Sequence, residues 1–481
     1  MLRRTFLSST SLGCGSMALS HLLGSQLGLA AGGAQSEPKV KRVIYLAMSG
    51  GPPHVDLFDE KPLLKEKAGE ELPPEVRGGQ RLTTMTSGQS KLALLPSLSG
   101  HTNYGKSGIR MSDWLPHTGS VADEMTLIRS MFTEAINHAP AFTYLFTGSQ
   151  LAGRPSMGAW ATYGLGAENE NLPSFVVLTS RDRENSCGQL FYDHYWGSGF
   201  LPSRFQGVKF RGTGDPVLYL SNPKGIGRAQ RERLLGDLAE LNEMRHELYQ
   251  DPEIETRIAQ YEMAFRMQAS VPELTDFDSE PAHVKELYGP DVDRPGSFAR
   301  NCLLARRLAE RGSRFIQVMH AGWDHHSNIN TQLEINCRDV DQPAAGLIKD
   351  LKQRGLLEDT LVIFGGEFGR TPFCQGDITA ARFGRDHHNR CFATWIAGGS
   401  IKKGHVHGAT DDYGYNIVDA SGQPMKPDKH SYHEGAVHIH DLQATILDQM
   451  GIDHTALTYK YQGRRFRLTD VHGKVIQSIL A

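Results

Sequence analysis

Short apolar runs that end in glycine, acid or histidine recur along this chain. Residues 43–48 form one such run and stop at the breaker cluster Ser49-Gly50-Gly51-Pro52-Pro53, which predicts a buried strand and a sharp exit. Residues 175–178, 314–319, 360–364 and 392–397 have the same character, and 127–129 predicts a shorter strand after a helix ending at 121–125. Helical spacing governs 298–311, closed by Gly312, and 336–354, closed by Gly355. Leu234, Leu238, Leu241 and Leu248 recur at helical intervals within 228–268, and Pro252 divides that stretch. A helical hairpin or insertion is predicted there. Stretch 63–118 is rich in Gly, Pro, Ser and Thr and predicts surface loops, and 181–227 reads as loop-rich.

The order strand 314–319, helix 336–354, strand 360–364 is a crossover unit, so these strands are expected to run parallel. Parallel strands finish on one edge of the sheet. Asp324, His325 and His326 then share that edge with the turn from Glu367 to Arg370, where open α/β sheets bind ligands. No helical pattern separates 364 from 392, which leaves the strand 392–397 free to run antiparallel. The segment Arg385-Asp386-His387-His388 before it then reaches the same edge. The predicted class is α/β, with a mostly parallel sheet and one antiparallel strand.

Composition narrows the partners. The chain has 481 residues, 39% hydrophobic and 22% charged, with a formal net charge of -3, the values of an ordinary water-soluble domain with a large core. No long basic run is present, which argues against a nucleic-acid footprint. Leu2-Arg3-Arg4-Thr5-Phe6-Leu7-Ser8 resembles a twin-arginine export motif, and small residues from Ala30 to Ala34 offer a cleavage site. A signal peptide over 1–34, a single mature domain over 35–481 and a periplasmic or extracellular location are predicted. No later stretch is apolar for long enough to predict a transmembrane helix. Past Cys14 the cysteines are Cys187, Cys302, Cys337, Cys374 and Cys391, an odd number with no CxxC spacing. Cys302 and Cys337 fall in helical patterns and are expected to be packed thiols, which argues against a thiolate metal site.

The segments Gly50-Gly51-Pro52-Pro53-His54-Val55-Asp56, Gly153-Arg154-Pro155-Ser156, Gly322-Trp323-Asp324, 366–372, 384–388 and Asp441-Leu442-Gln443-Ala444-Thr445 resemble the DUF1501 family of exported bacterial proteins. The likeness spans almost all of the predicted mature chain. It implies kinship with the alkaline phosphatase and sulfatase superfamily, hence an alkaline-phosphatase-like three-layer α/β/α sandwich and metal-assisted attack on a phosphate or sulfate ester. Carbohydrate esters outside the cytoplasm are the substrate class this suggests. By the same resemblance Asp56 stands nearest to the superfamily's first metal acid, and Asp324 to His326 resembles its Asp-x-x-x-His site at shorter spacing. Glu367 keeps the acid of the Asp-His-Gly site, and His387 or His388 matches the last metal histidine. His138 occupies the position of the sulfatase nucleophile, and no cysteine is there to convert. The alternative is therefore a degenerate member that binds an anionic or polysaccharide ligand without turnover.

Eleven of the 21 histidines fall between His320 and His440, so the polar chemistry is concentrated. Imidazoles and carboxylates without thiolate favour Zn²⁺ or Mn²⁺ over Ca²⁺ or Mg²⁺. Asp324 and His326, two apart, can face one ion, and His387 or His388 completes it. Adjacent side chains on an extended segment point opposite ways, so one of that pair is expected to ligate and the other to pack. Glu367 with Asp56, His54 or His138 offers a second ion, and water activated by the metal replaces a side-chain nucleophile. Arg370 is the candidate to grip an oxyanion. His405 and His407 are expected at the surface, and His438 and His440 precede a helix.

Overall fold

The computed structural model describes residues 36–181, 191–212, 214–217, 220, 222, 225–249, 252–430 and 433–481. The predicted signal peptide with Cys14, and Cys187, lie outside the described residues. The sheet is entered through β1 (Arg42–Met48), β2 (Met125–Phe132), β3 (Phe175–Arg181), β4 (Val208–Phe210), β5 (Phe315–Ala321) and β6 (Thr360–Gly365). A separate antiparallel hairpin follows, β7 (Gly369–Gln375) with β8 (Gly384–His388). The chain then returns to the sheet as β9 (Phe392–Ala397), β10 (His405–His407) and β11 (Val437–His438). The helices used below are α1 (His138–Thr147), α2 (Met157–Leu165), α3 (Arg228–Tyr249), α4 (Pro252–Thr275), α5 (Phe298–Glu310), α6 (Ile329–Gln353) and α7 (Ile439–Gln449).

The strand order is β10-β2-β9-β6-β1-β5-β3-β4, and β11 also pairs with β2. Strand β9 runs antiparallel to both neighbours, β2 and β6, whereas the other pairings in this sheet are parallel. The expected polarity of 392–397 is therefore observed. Strand β1 lies between β5 and β6, with Val43 level with both Phe315 and Leu361. The crossover through α6 thus skips one strand and still returns parallel.

Alternation along β1 divides the core into two layers. Ile44, Leu46 and Met48 pack with Leu303 and Leu308 of α5 and Leu333 and Leu347 of α6. Val43, Tyr45 and Ala47 pack with Phe142 of α1, Trp160 of α2 and Leu442 and Ile446 of α7. The side-chain period of two sends neighbours to opposite faces. Helices on both faces of a parallel sheet make the three-layer α/β/α arrangement. Each fully buried aliphatic or aromatic side chain contributes roughly 1.5–3 kcal/mol.

Two expectations change, and one element has no counterpart in the sequence reading. The stretch 63–118 is not all surface, because Leu64, Leu72, Leu92 and Leu94 form a small core with Phe373 and Tyr415. The helix expected to end at 121–125 is a short 3-10 turn, Ala122–Glu124, and the strand after it extends over all of β2. The β7–β8 hairpin carries Arg370, Thr371, Arg385, Asp386 and His387, so it has no apolar run to announce it, yet all five side chains are buried.

Candidate metal centre

Parallel polarity brings the ends of β5 and β6 together, and the β7–β8 hairpin folds over them. Asp324 and His326 lie in the loop between β5 and α6, and Glu367 lies between β6 and β7. His387 is the penultimate residue of β8, and His138 is the first residue of α1. The loop after β1 presses on Asp324. Gly50 has φ +124°, and a Cβ there would stand 2.3 Å from the Asp324 amide nitrogen, so only glycine fits. The amides of Gly50 and Gly51 are then free to donate to the Glu367 carboxylate at 3.0 and 3.3 Å.

Asp324 Oδ1 is the focus. His326 Nε2 lies 2.9 Å from it, His138 Nε2 3.1 Å, His387 Nε2 3.4 Å and Arg370 Nη2 2.5 Å. Ligand atoms of His138, Asp324, His326 and His387 all fall within 4.8 Å of one another. Each imidazole is also held from behind. His387 Nδ1 donates to the Ile136 carbonyl at 2.7 Å, His326 Nδ1 to Gln375 Oε1 at 2.5 Å, and His138 Nδ1 to Glu367 Oε1 at 2.5 Å.

The outer acceptors fix the tautomer. Ile136 and Gln375 offer carbonyl oxygens, which have no proton to give, so Nδ1 of His387 and of His326 carries the hydrogen and each neutral ring turns a lone pair inward at Nε2. His326 Nε2 and His387 Nε2 are 2.9 Å apart, so two lone pairs would face each other unless a proton or a metal cation lies between them. Histidines that give their far N–H to an acceptor are oriented as metal ligands are. Three imidazoles and one carboxylate, without thiolate, fit a divalent cation such as Zn²⁺ or Mn²⁺.

Electrostatics agree with this focus. Burial alone would raise the Asp324 carboxyl, but the facing imidazoles, when they carry a proton at Nε2, and the Arg370 charge hold it far below the ordinary carboxylate range. Burial opposes charge on His138, yet bonds to Asp324 and Glu367 raise its pKa overall. His387 goes the other way, down to about 4, because burial, Arg370 and the neighbouring imidazoles outweigh Asp324. His325, between the two site residues, falls to about 3 because burial and the Arg370 charge outweigh Asp324.

The remaining candidates are elsewhere. Asp56, expected as a metal acid, is fully buried and bound through both oxygens to Arg385, at 2.7 and 3.0 Å, with the Leu98 amide on it as well. His54 turns Nε2 to the Gly414 carbonyl at 2.8 Å. His388 turns Nε2 to the Tyr415 carbonyl at 2.8 Å and stacks on the Tyr415 ring, 4.5 Å between centroids. The alternation of β8 thus sends His387 inward and His388 outward. Glu367 meets the cluster through His138, with its other contacts on backbone amides, and not as the centre of a second ligand group. Arg370, the expected oxyanion grip, is fully buried and spent on Asp324 and on the carbonyls of Gly50, Gly51 and Arg385. His438 pairs with Glu134 at 3.0 Å and His440 with Gln443 at 2.8 Å. Gln375 and the Ile136 carbonyl complete the centre without any motif to mark them.

A cavity of about 380 Å³ adjoins the cluster, with Ile136, Asn137, Asp386 and His387 on its wall and Arg81 and Arg390 exposed beside it.

Among solved structures the chain is similar to a sulfatase from Pseudoalteromonas sp., at 13% identity, 83% of this chain and 70% of that one, with a TM-score of 0.32. It is similar to a phosphonate monoester hydrolase from Silicibacter pomeroyi at 12% identity, 76% and 71% coverage and a TM-score of 0.32. A protein in the alkaline phosphatase superfamily from Vibrio parahaemolyticus gives 10% identity, 89% and 70% coverage and a TM-score of 0.32. No curated protein matches the sequence. A family model described as "Protein of unknown function (DUF1501)" matches residues 40–480, so this chain, with its imidazole cluster at the end of a largely parallel sheet, belongs to the DUF1501 family.

Proposed function

We propose that the protein is an exported, metal-dependent hydrolase of sulfate or phosphate esters, carried by carbohydrates among other substrates. The observation behind this reading is the convergence of three imidazole Nε2 atoms on Asp324, each ring held at its far nitrogen. His138, Asp324, His326 and His387 would hold one divalent ion, zinc or manganese by their donor chemistry. Such an ion would polarise an ester oxygen and acidify a bound water, the nucleophile that the side chains do not supply. Engagement of Glu367 by amides and of Asp56 by Arg385 favours one ion over two.

The chain's own groups prepare the site. Glu367 orients His138, the Ile136 carbonyl orients His387, and Gln375 orients His326. The Phe368 ring stands 4.9 Å from the His138 ring and 4.8 Å from the His387 ring, an apolar wall that limits water on that side. Arg370 holds Asp324 in place and does not meet substrate. Arg81 and Arg390 at the cavity are the guanidinium forks that fit a sulfate or phosphate group. The second reading, an anionic or polysaccharide ligand bound without turnover, is favoured by His138 standing where the resembled sulfatase pattern has its nucleophile.

The test is metal analysis and aryl sulfate and aryl phosphate turnover on protein recovered from the periplasmic fraction and purified without chelator. About one zinc or manganese per chain is expected, with chelator-sensitive turnover, and Asp324→Asn is expected to lose both. Metal without turnover on either ester selects the second reading. Less than about 0.3 ion per chain refutes the metal centre, and recovery from the cytoplasm alone refutes export.

A further inference from the structure

Helices α3 and α4 stand apart from the metal centre and carry a surface of another kind. No residue of α3 is buried. Its half-buried positions are Arg231, Leu235, Ala239, Asn242 and His246, a stripe of small and polar groups with one leucine. The bulk of its apolar surface lies on another face. Leu234, Leu238, Leu241, Met244 and Leu248 are all exposed, Leu241 by 58% and Leu248 by 72%. Seven of the twelve large apolar side chains exposed among the described residues belong to this hairpin, so the patch is local and not a general property of the surface. Leu234, Leu241 and Leu248 recur every seventh residue, with Leu238 and Met244 alongside, which is the seam of a helix that pairs with another helix.

The charges identify the partner. Arg228, Arg231 and Arg233 outnumber Glu232 at the N-terminal end of α3, and Asp237, Glu240, Glu243 and Glu247 outnumber Arg245 after it. A lone helix favours the reverse, acids at its N-terminus and bases at its C-terminus, because of its dipole. The observed order is complementary to a second copy of itself laid antiparallel. A two-fold axis at Leu241 sets Leu234 against the partner's Leu248, Asp237 against the partner's Arg245, and the basic end of each helix against the acidic end of the other. The 22 residues of α3 span about 33 Å, enough for the whole seam.

We propose that two copies of this chain associate through an antiparallel α3–α3 contact centred on Leu241. The contact is isologous: one patch serves both subunits and closes after two. It also covers an apolar surface that would otherwise invite indiscriminate association.

Sedimentation of the full exported protein tests this. A dimer is expected at micromolar concentration, and Leu241→Glu, at an exposed position, is expected to raise its Kd at least about tenfold, since two like charges meet on the axis. Asp237→Arg is expected to weaken the dimer by facing the partner's Arg245, and adding Arg245→Asp is expected to restore it. Under oxidation Leu241→Cys is expected to give a covalent dimer. A monomeric wild-type protein overturns the proposal. So does a dimer indifferent to Leu241→Glu and to the charge exchange.

Discussion

Two aspartates lie near the same end of the sheet in opposite surroundings. Asp56 is fully buried, and both its oxygens meet the guanidinium of Arg385, with the Leu98 amide added. Asp324 is slightly open, with 12% of its side chain exposed, and gathers three imidazoles and Arg370 on one oxygen. Arginine is a permanent cation whose fork matches a carboxylate, so Asp56 has nothing left to offer. Imidazole exchanges a proton or a metal near neutral pH, so the surroundings of Asp324 change with what enters. Burial is common to both. The convertibility of the neighbours separates a strut from a site.

The largest effect is expected where the strut is cut. Arg385→Met leaves the Asp56 carboxylate buried without its cation and is expected to destabilise the fold by about 3–5 kcal/mol, measured by urea unfolding. Adding Asp56→Leu removes the orphaned charge and is expected to recover most of that loss. A cost below about 1 kcal/mol for the single variant would mean that Asp56 is as adaptable as Asp324, and the contrast would fail.

A buried imidazole bonded to an amide behaves differently again. Burial and the neighbouring His438 hold His440 down to about 3. Its folded pKa lies below the unfolded value of about 6.5, so the unfolded chain takes the proton first. Stability is thus full above about 6.5, falls as pH drops toward 3, and levels off below it. Between pH 7 and 5 this group alone is expected to cost about 2 kcal/mol. Thermal unfolding of His440→Asn at both pH values should show a smaller acid loss than the parent. An equal loss would place the acid sensitivity on other groups.

How much of this was legible in the sequence follows the same division. Strands β1, β5, β6 and β9 announce themselves because apolar runs are what a covered sheet requires. Their polarity follows from the helix between two of them and the lack of one before β9, which is enough to bring Asp324, His326 and His387 to one edge. The β7–β8 hairpin was not legible, since its buried arginines and acid look like surface residues until their partners are known. Arg385, the partner of Asp56, lies 329 positions along the chain. Nearness to the breaker cluster after β1 places Asp56 and His54 at the right edge and says nothing of which way they turn. Arg370 has the residue type of an anion grip, but the carbonyls that consume it, those of Gly50, Gly51, Trp323 and Arg385, come from three separate segments. His138 was indicated only through a register with the resembled sulfatase pattern.

The finest test of the contrast lies outside the cluster itself. Gln375 contacts the centre only by accepting from His326 Nδ1 at 2.5 Å, and it is half-buried, so its loss leaves no large cavity. Gln375→Leu keeps its approximate volume and removes the acceptor. His326 is then free to move its hydrogen to Nε2, where it would block the inward lone pair. Metal affinity, measured by competition with a chelating dye, is expected to fall about tenfold, the low end of what an orienting acceptor contributes. His388→Gln, on the next side chain along from His387 but turned outward, is expected to leave that affinity unchanged. If the two variants bind metal alike, the orientation of His326 owes nothing to Gln375, and the imidazoles converge through backbone placement alone.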